Sequence, residues 1–184
     1  MNFVQARLAA AAFAIMGAIP AVSNAADGTI TFTGAVSSQT CTINGNGSGA
    51  KDFTVALPTV STGSLAAAGQ TAGRTQFNIT LSNCSTATGN VHTFFEAGPT
   101  TDLATGNLIV AEGTDSATNV QIGLLNSDFQ PINTGAADAS QNSTSVAIVD
   151  SAATLQYYAE YVATGGAATA GAANTQVMYT LAYQ

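Results

Sequence analysis

The sequence predicts an all-β sandwich, and three observations predict it. Short runs of alternating apolar and polar residues are separated by clusters of Gly, Asn, Asp and Ser. Charged residues make up only 7% of a chain that is 46% hydrophobic. Its polar faces must therefore be Thr, Ser, Asn and Gln, which suit exposed strands better than solvated helices. Beyond the first two dozen residues no stretch holds a 3.6-residue apolar period over several turns. At most, Gly63–Gly69 makes a helical turn inside a loop.

The chain of 184 residues opens like a secretory leader. Arg7 gives a positive start, Leu8 to Ile19 an apolar core, and Pro20 ends any helix. Ser23-Asn24-Ala25 supplies small residues for cleavage after Ala25. The apolar core is too short to span about 30 Å of hydrocarbon. A signal peptide over 1–25 and a mature chain from Ala26 are therefore expected. No later stretch is long and apolar enough to span a membrane.

The strands follow in order. Thr29–Val36 alternates Ile30, Phe32 and Gly34 with Thr29, Thr31 and Thr33. Gln76–Ser82 puts Phe77, Ile79 and Leu81 on one face and Gln76, Asn78, Thr80 and Ser82 on the other. Further runs are Val91–Ala97, Asn107–Glu112, Asn119–Leu125, Ser145–Asp150, Thr154–Ala163 and Gln176–Tyr183. The last places Val177, Tyr179, Leu181 and Tyr183 on one side. Cys84 has the wrong parity for the Phe77 face, so its strand ends by Ser82 or a bulge intervenes. Loops at Asn44–Lys51, Asp128–Asn142 and Thr164–Asn174 are rich in Gly, Ala and Asn. Two of them exceed ten residues, a length that raises function or mobility.

Cys41 and Cys84 are the only cysteines, an even count behind an export signal, which reads as one disulfide. Without Arg7 only Lys51 and Arg74 stand against ten carboxylates, too few cations to track nucleic-acid phosphates. Disorder is disfavoured because hydrophobicity is high and charge density low.

A search for reaction chemistry finds little. His92 is the single His and reads as an edge or partly buried strand residue. Asp115, Asp128, Asp138 and Asp150 sit singly beside turn residues, where Asx hydrogen bonds account for them. Glu112 and Asp115 approach within one hairpin but have no further metal ligands nearby. Gly45-Asn46-Gly47-Ser48-Gly49 lacks a phosphate-loop Lys and a following helix, so it is a flexible turn. Asn78-Ile79-Thr80 and Asn142-Ser143-Thr144 match a glycosylation triplet that arises by chance in so Asn- and Thr-rich a chain. No catalytic residue, metal site or cofactor is expected, and an enzyme is disfavoured.

Three segments together resemble the chaperone–usher pilins, most closely the major subunits of type 1-like fimbriae. Gly28-Thr-Ile-Thr-Phe-Thr-Gly-Ala-Val36 leading to Cys41 is similar to that family's N-terminal extension. Leu57-Pro-Thr-Val60, Ser64-Leu65, Gly69 and Phe77-Asn-Ile-Thr-Leu-Ser-Asn-Cys84 resemble its path between the two cysteines. Tyr157-Tyr-Ala-Glu-Tyr-Val-Ala-Thr-Gly165 and Val177-Met-Tyr-Thr-Leu-Ala-Tyr-Gln184 resemble its last two strands, ending on a penultimate Tyr. Asn107 to Asn142 matches least.

The resemblance implies an incomplete immunoglobulin-like sandwich, missing its last strand and completed by a donor strand from a neighbouring subunit. It implies a 26–40 extension carrying donor residues Ile30, Phe32, Gly34 and Val36, and a 41–184 pilin domain. Val177, Tyr179, Leu181 and Tyr183 would line the acceptor groove and dock a periplasmic chaperone. The implied partners are that chaperone, an outer-membrane usher and other pilin subunits, and the implied destination is a surface fimbria. The chain is expected to end on its last strand, with no further apolar run to close the sandwich. An exported β-sandwich carbohydrate-binding module is the alternative. It would need aromatics on one exposed face, whereas most Tyr and Phe here fall on core-parity positions.

Overall fold

The computed structural model describes residues 29–184; the leader and its expected cleavage site lie outside them. Ser37–Gln184 forms one compact unit. The strands are β1 (Thr42–Gly45), β2 (Thr71–Ser82), β3 (Gly89–Phe95) and β4 (Leu108–Ile109). They continue with β5 (Val120–Leu125), β6 (Val146–Ile148), β7 (Ala153–Ala163) and β8 (Tyr179–Tyr183). One sheet has the order β1-β2-β7-β5-β4 and the other the order β6-β3-β8. Every ladder between these strands is antiparallel.

The inner faces build one core by the alternation seen in the sequence. Across β2 and β7, Phe77 faces Tyr157, Ile79 faces Leu155 and Leu81 faces Ala153. Val91, Phe95, Ile122, Leu124 and Ile148 close over them from the other strands. Each such side chain contributes about 1.5–3 kcal/mol on full burial. The β2–β7 ladder slips between Ala72 and Thr75. Gly73 takes up the slip at φ 71°, where an added Cβ would stand 2.9 Å from the Tyr161 ring. Within the slip, Arg74 Nε donates to Glu160 Oε2 at 2.7 Å.

Several expectations meet their elements with changed bounds. The turn foreseen at Gly63–Gly69 is a 3-10 turn over Thr62–Leu65, capped by Ser61. The Asn107–Glu112 run pairs only at Leu108 and Ile109. β2 ends at Ser82, and Asn83 at φ 51° turns the chain, which explains the parity of Cys84. β1 carries a single apolar residue with its side chain toward the core, Ile43, and so left no alternation to read. Thr29–Val36 forms no strand, because no second edge supplies the ladder that an extended segment needs.

The long loop before β6 is packed. Ile132 and Gln141 are 1% and 0% exposed. The Gln141 carboxamide accepts from Phe95 N at 2.9 Å and donates to Phe95 O at 2.6 Å, so a side chain substitutes for a strand along that part of β3. His92 is also corrected: it lies on the central strand of its sheet and is buried. Its Nε2 lies 2.7 Å from Asp138 Oδ1, so Asp138 pins the loop over β3 and is more than a turn residue.

Candidate functional site

β8 is paired along one edge only. Asn90 and Gln184 exchange both backbone bonds, at 3.0 and 2.9 Å, and Glu96 N donates to Met178 O at 2.9 Å. Antiparallel pairs alternate, so the even-numbered residues spend their N–H and C=O on β3. The N–H and C=O of Val177, Tyr179, Leu181 and Tyr183 therefore point to the opposite edge. Among the described residues no strand pairs there. The same four side chains turn inward and pack against the core, yet all four are only half-buried. On the completed strands the equivalent positions Ile79, Leu81, Leu155 and Tyr157 are 0–2% exposed.

A second row faces the same core without belonging to a strand. Phe53, Val55 and Leu57 are half-buried and alternate with exposed Thr54, Ala56 and Pro58. Among the described residues no backbone–backbone hydrogen bond engages Phe53–Val60. Aromatic contacts join the two rows: Phe53 lies 6.2 Å from Tyr179 and 6.1 Å from Phe77 between ring centroids. The Tyr179 hydroxyl donates to Lys51 O at 2.7 Å. Burial holds that hydroxyl above its ordinary pKa, with the nearby Asp52 carboxylate adding to the effect. Burial alone does the same for Tyr183. The arrangement offers apolar half-filled positions and unmet backbone groups, which suits an extended peptide.

The four predicted wall residues are thus brought together, and the Phe53 row opposite them is what sequence reasoning missed. Its signal was the Phe53, Val55, Leu57 alternation. Cys41 and Cys84 are joined by a disulfide across 43 residues of chain, tying the start of β1 to the end of β2. Ile30, Phe32 and Val36 are 80%, 89% and 103% exposed, and an added Cβ at Gly34 would meet nothing within 4 Å. Among the described residues no group of three or more His, Cys, Asp and Glu side chains converges on a potential metal position.

An antiparallel sandwich whose terminal strand keeps an open edge among the described residues is an incomplete immunoglobulin-like fold. The FimA family, type-1 fimbrial protein A, matches residues 57–184. The chain is 50% identical over 173 residues to the major fimbrial subunit SMF-1 of Stenotrophomonas maltophilia, covering 92% of this chain and 99% of that one. It is 46% identical over 179 residues to the F17 fimbrial protein of Escherichia coli, covering 92% and 97%. Among solved structures, a Burkholderia pseudomallei antigen and type I fimbria protein superposes with a TM-score of 0.55 at 25% identity, over 79% of this chain and 99% of that one. A chaperone–usher pilus subunit shares the fold with a TM-score of 0.58 at 21% identity, over 86% and 96%. The chain belongs to the type-1 fimbrial protein family. It is a structural fimbrial subunit, a class that builds surface fimbriae with other pilin subunits.

Proposed function

We propose that the chain polymerises by donor-strand exchange and forms a fimbria that supports cell adhesion. A leader over 1–25 directs it to the periplasm, residues 26–40 are the donor extension, and 41–184 is the receiving domain. A periplasmic chaperone first fills the groove, and assembly at an outer-membrane usher replaces it with a neighbour's arm. The observation that carries this reading is the open edge of β8, with Val177, Tyr179, Leu181 and Tyr183 half-buried opposite an unpaired Phe53–Leu57 row.

The arm fits that opening. Its inward row has four positions, Ile30, Phe32, Gly34 and Val36, and the β8 row has four. An antiparallel entry, the sense of every ladder in this sandwich, sets Ile30 against Tyr183, Phe32 against Leu181, Gly34 against Tyr179 and Val36 against Val177. Gly34 then falls where the Tyr179 ring already occupies the opening. A parallel entry would put Phe32 there instead. The close approach of a backbone to a ring accounts for a Gly inside a strand, where it otherwise only weakens pairing.

Gly34→Leu should leave the monomer folded and captured by the chaperone, because on this reading the chaperone fills that groove and not the subunit's own arm. Fibre formation should fail. Phe32→Asp should give the same defect by burying an unpaired charge. Secretion, chaperone co-purification and electron microscopy of fibres read these outcomes. Normal fibres from Gly34→Leu would sink the donor assignment, and loss of the folded monomer would assign Gly34 to a bend before Cys41.

A further inference from the structure

The empty groove needs something to keep its lips apart. Its inner rows are apolar and still partly exposed, and closing them on each other would bury that surface. A gap that accepts one strand is about 10 Å wide, two inter-strand spacings. Only one polar contact links the lips among the described residues, the 2.7 Å hydrogen bond from the Tyr179 hydroxyl to Lys51 O. That bond runs from β8 to the chain two residues before the Phe53 row. The ring is steadied from below by its edge contact with Phe53, which itself leans on Phe77.

We infer that Tyr179 is a strut: its hydroxyl, fixed on Lys51 O, holds the two lips one strand apart in the uncoupled subunit and so keeps the groove ready for a strand. The inference rests on the groove reading above and adds a positioning role for one atom of it. Lys51 contributes its carbonyl, so its side chain, which pairs with Asp52 in solvent, is free to vary. Tyr183 supplies the control. It lies in the same row, is also half-buried, and among the described residues its hydroxyl makes no hydrogen bond.

The test uses the oxidised mature chain with its own arm silenced by Phe32→Asp, and a synthetic peptide of residues 26–38 as the probe. Tyr179→Phe removes the hydroxyl and keeps the ring. It should slow peptide association about fivefold, the worth of one hydrogen bond acting through preorganisation. Tyr183→Phe should leave association unchanged. Spin labels attached at Thr54 and Met178, both exposed on opposite lips, should give a narrow distance distribution in the parent and a broader one in Tyr179→Phe. Unchanged or faster association together with an unchanged distribution overturns the strut. A folded parent that does not bind the peptide overturns the groove reading instead, and the spin-label distances still decide whether the hydroxyl holds the lips.

Discussion

β7 and β8 are both inner-facing strands of one sandwich, and they stand in different states of completion. β7 is flanked by β2 and β5, and its inward Leu155 and Tyr157 are 0% and 1% exposed. β8 is flanked by β3 alone, and its inward row stays half-buried although its side chains are as apolar. The difference lies in the missing neighbour, because a strand's side chains are sealed by the strands on both sides as much as by the facing sheet. A subunit can thus keep a finished scaffold and an unfinished edge in one cooperative fold. On the donor-strand proposal, the finished part supplies the stability and the edge supplies the driving force for assembly.

The largest effect tests the scaffold. Replacing Cys41 and Cys84 by Ser should lower unfolding free energy by about 4 kcal/mol, from a loop of 43 residues on the chain-entropy account. The disulfide lies outside the groove. Chemical denaturation should therefore show a similar loss in the free chain and in the chain complemented by an arm peptide. A loss confined to one of them would break the division between scaffold and edge. Next, Leu155→Ala should cost about 3 kcal/mol in both states, since its surroundings are already complete. Leu181→Ala should cost about 1 kcal/mol in the free chain, where it is still partly exposed, and about 3 kcal/mol once a strand covers it. Equal costs for Leu181 in the two states would mean that the groove is not where a strand binds.

The sequence made one half of this contrast more legible than the other. Phe77, Ile79 and Leu81, or Val177 through Tyr183, announce themselves because period-two alternation survives wherever one sheet face is buried. The Phe53, Val55, Leu57 row has the same period. It forms no ladder and ends at Pro58, and a short run beside Pro reads as loop. Gln141 on the Phe95 backbone and Asp138 on His92 were out of reach for another reason. Each is a single side chain meeting an atom some 46 residues away, which leaves no periodic trace. That the edge is open could be read only through a family resemblance. Missing partners leave no residues to see.

The smallest effect follows the tyrosines of the open edge. Burial raises the pKa of both Tyr179 and Tyr183 above the ordinary 10.0, and Asp52 adds to the rise at Tyr179. A phenol whose folded pKa lies above its unfolded one contributes stability that is fully present below pH about 10. That contribution fades as pH rises through the folded-state value. Alkaline titration of the free chain, followed by phenolate absorbance, should thus show a component that Tyr183→Phe removes. Asp52→Asn should shift the Tyr179 component back toward 10 and leave Tyr183 in place, since only Tyr179 feels that carboxylate. An inserted strand strips away more of the water around both rings. Complementation should then move both ionisations to higher pH, because desolvation opposes the phenolate. If the arm peptide binds and neither tyrosine moves, the strand has docked away from the β8 edge, and the contrast between the finished and unfinished strands loses its functional meaning.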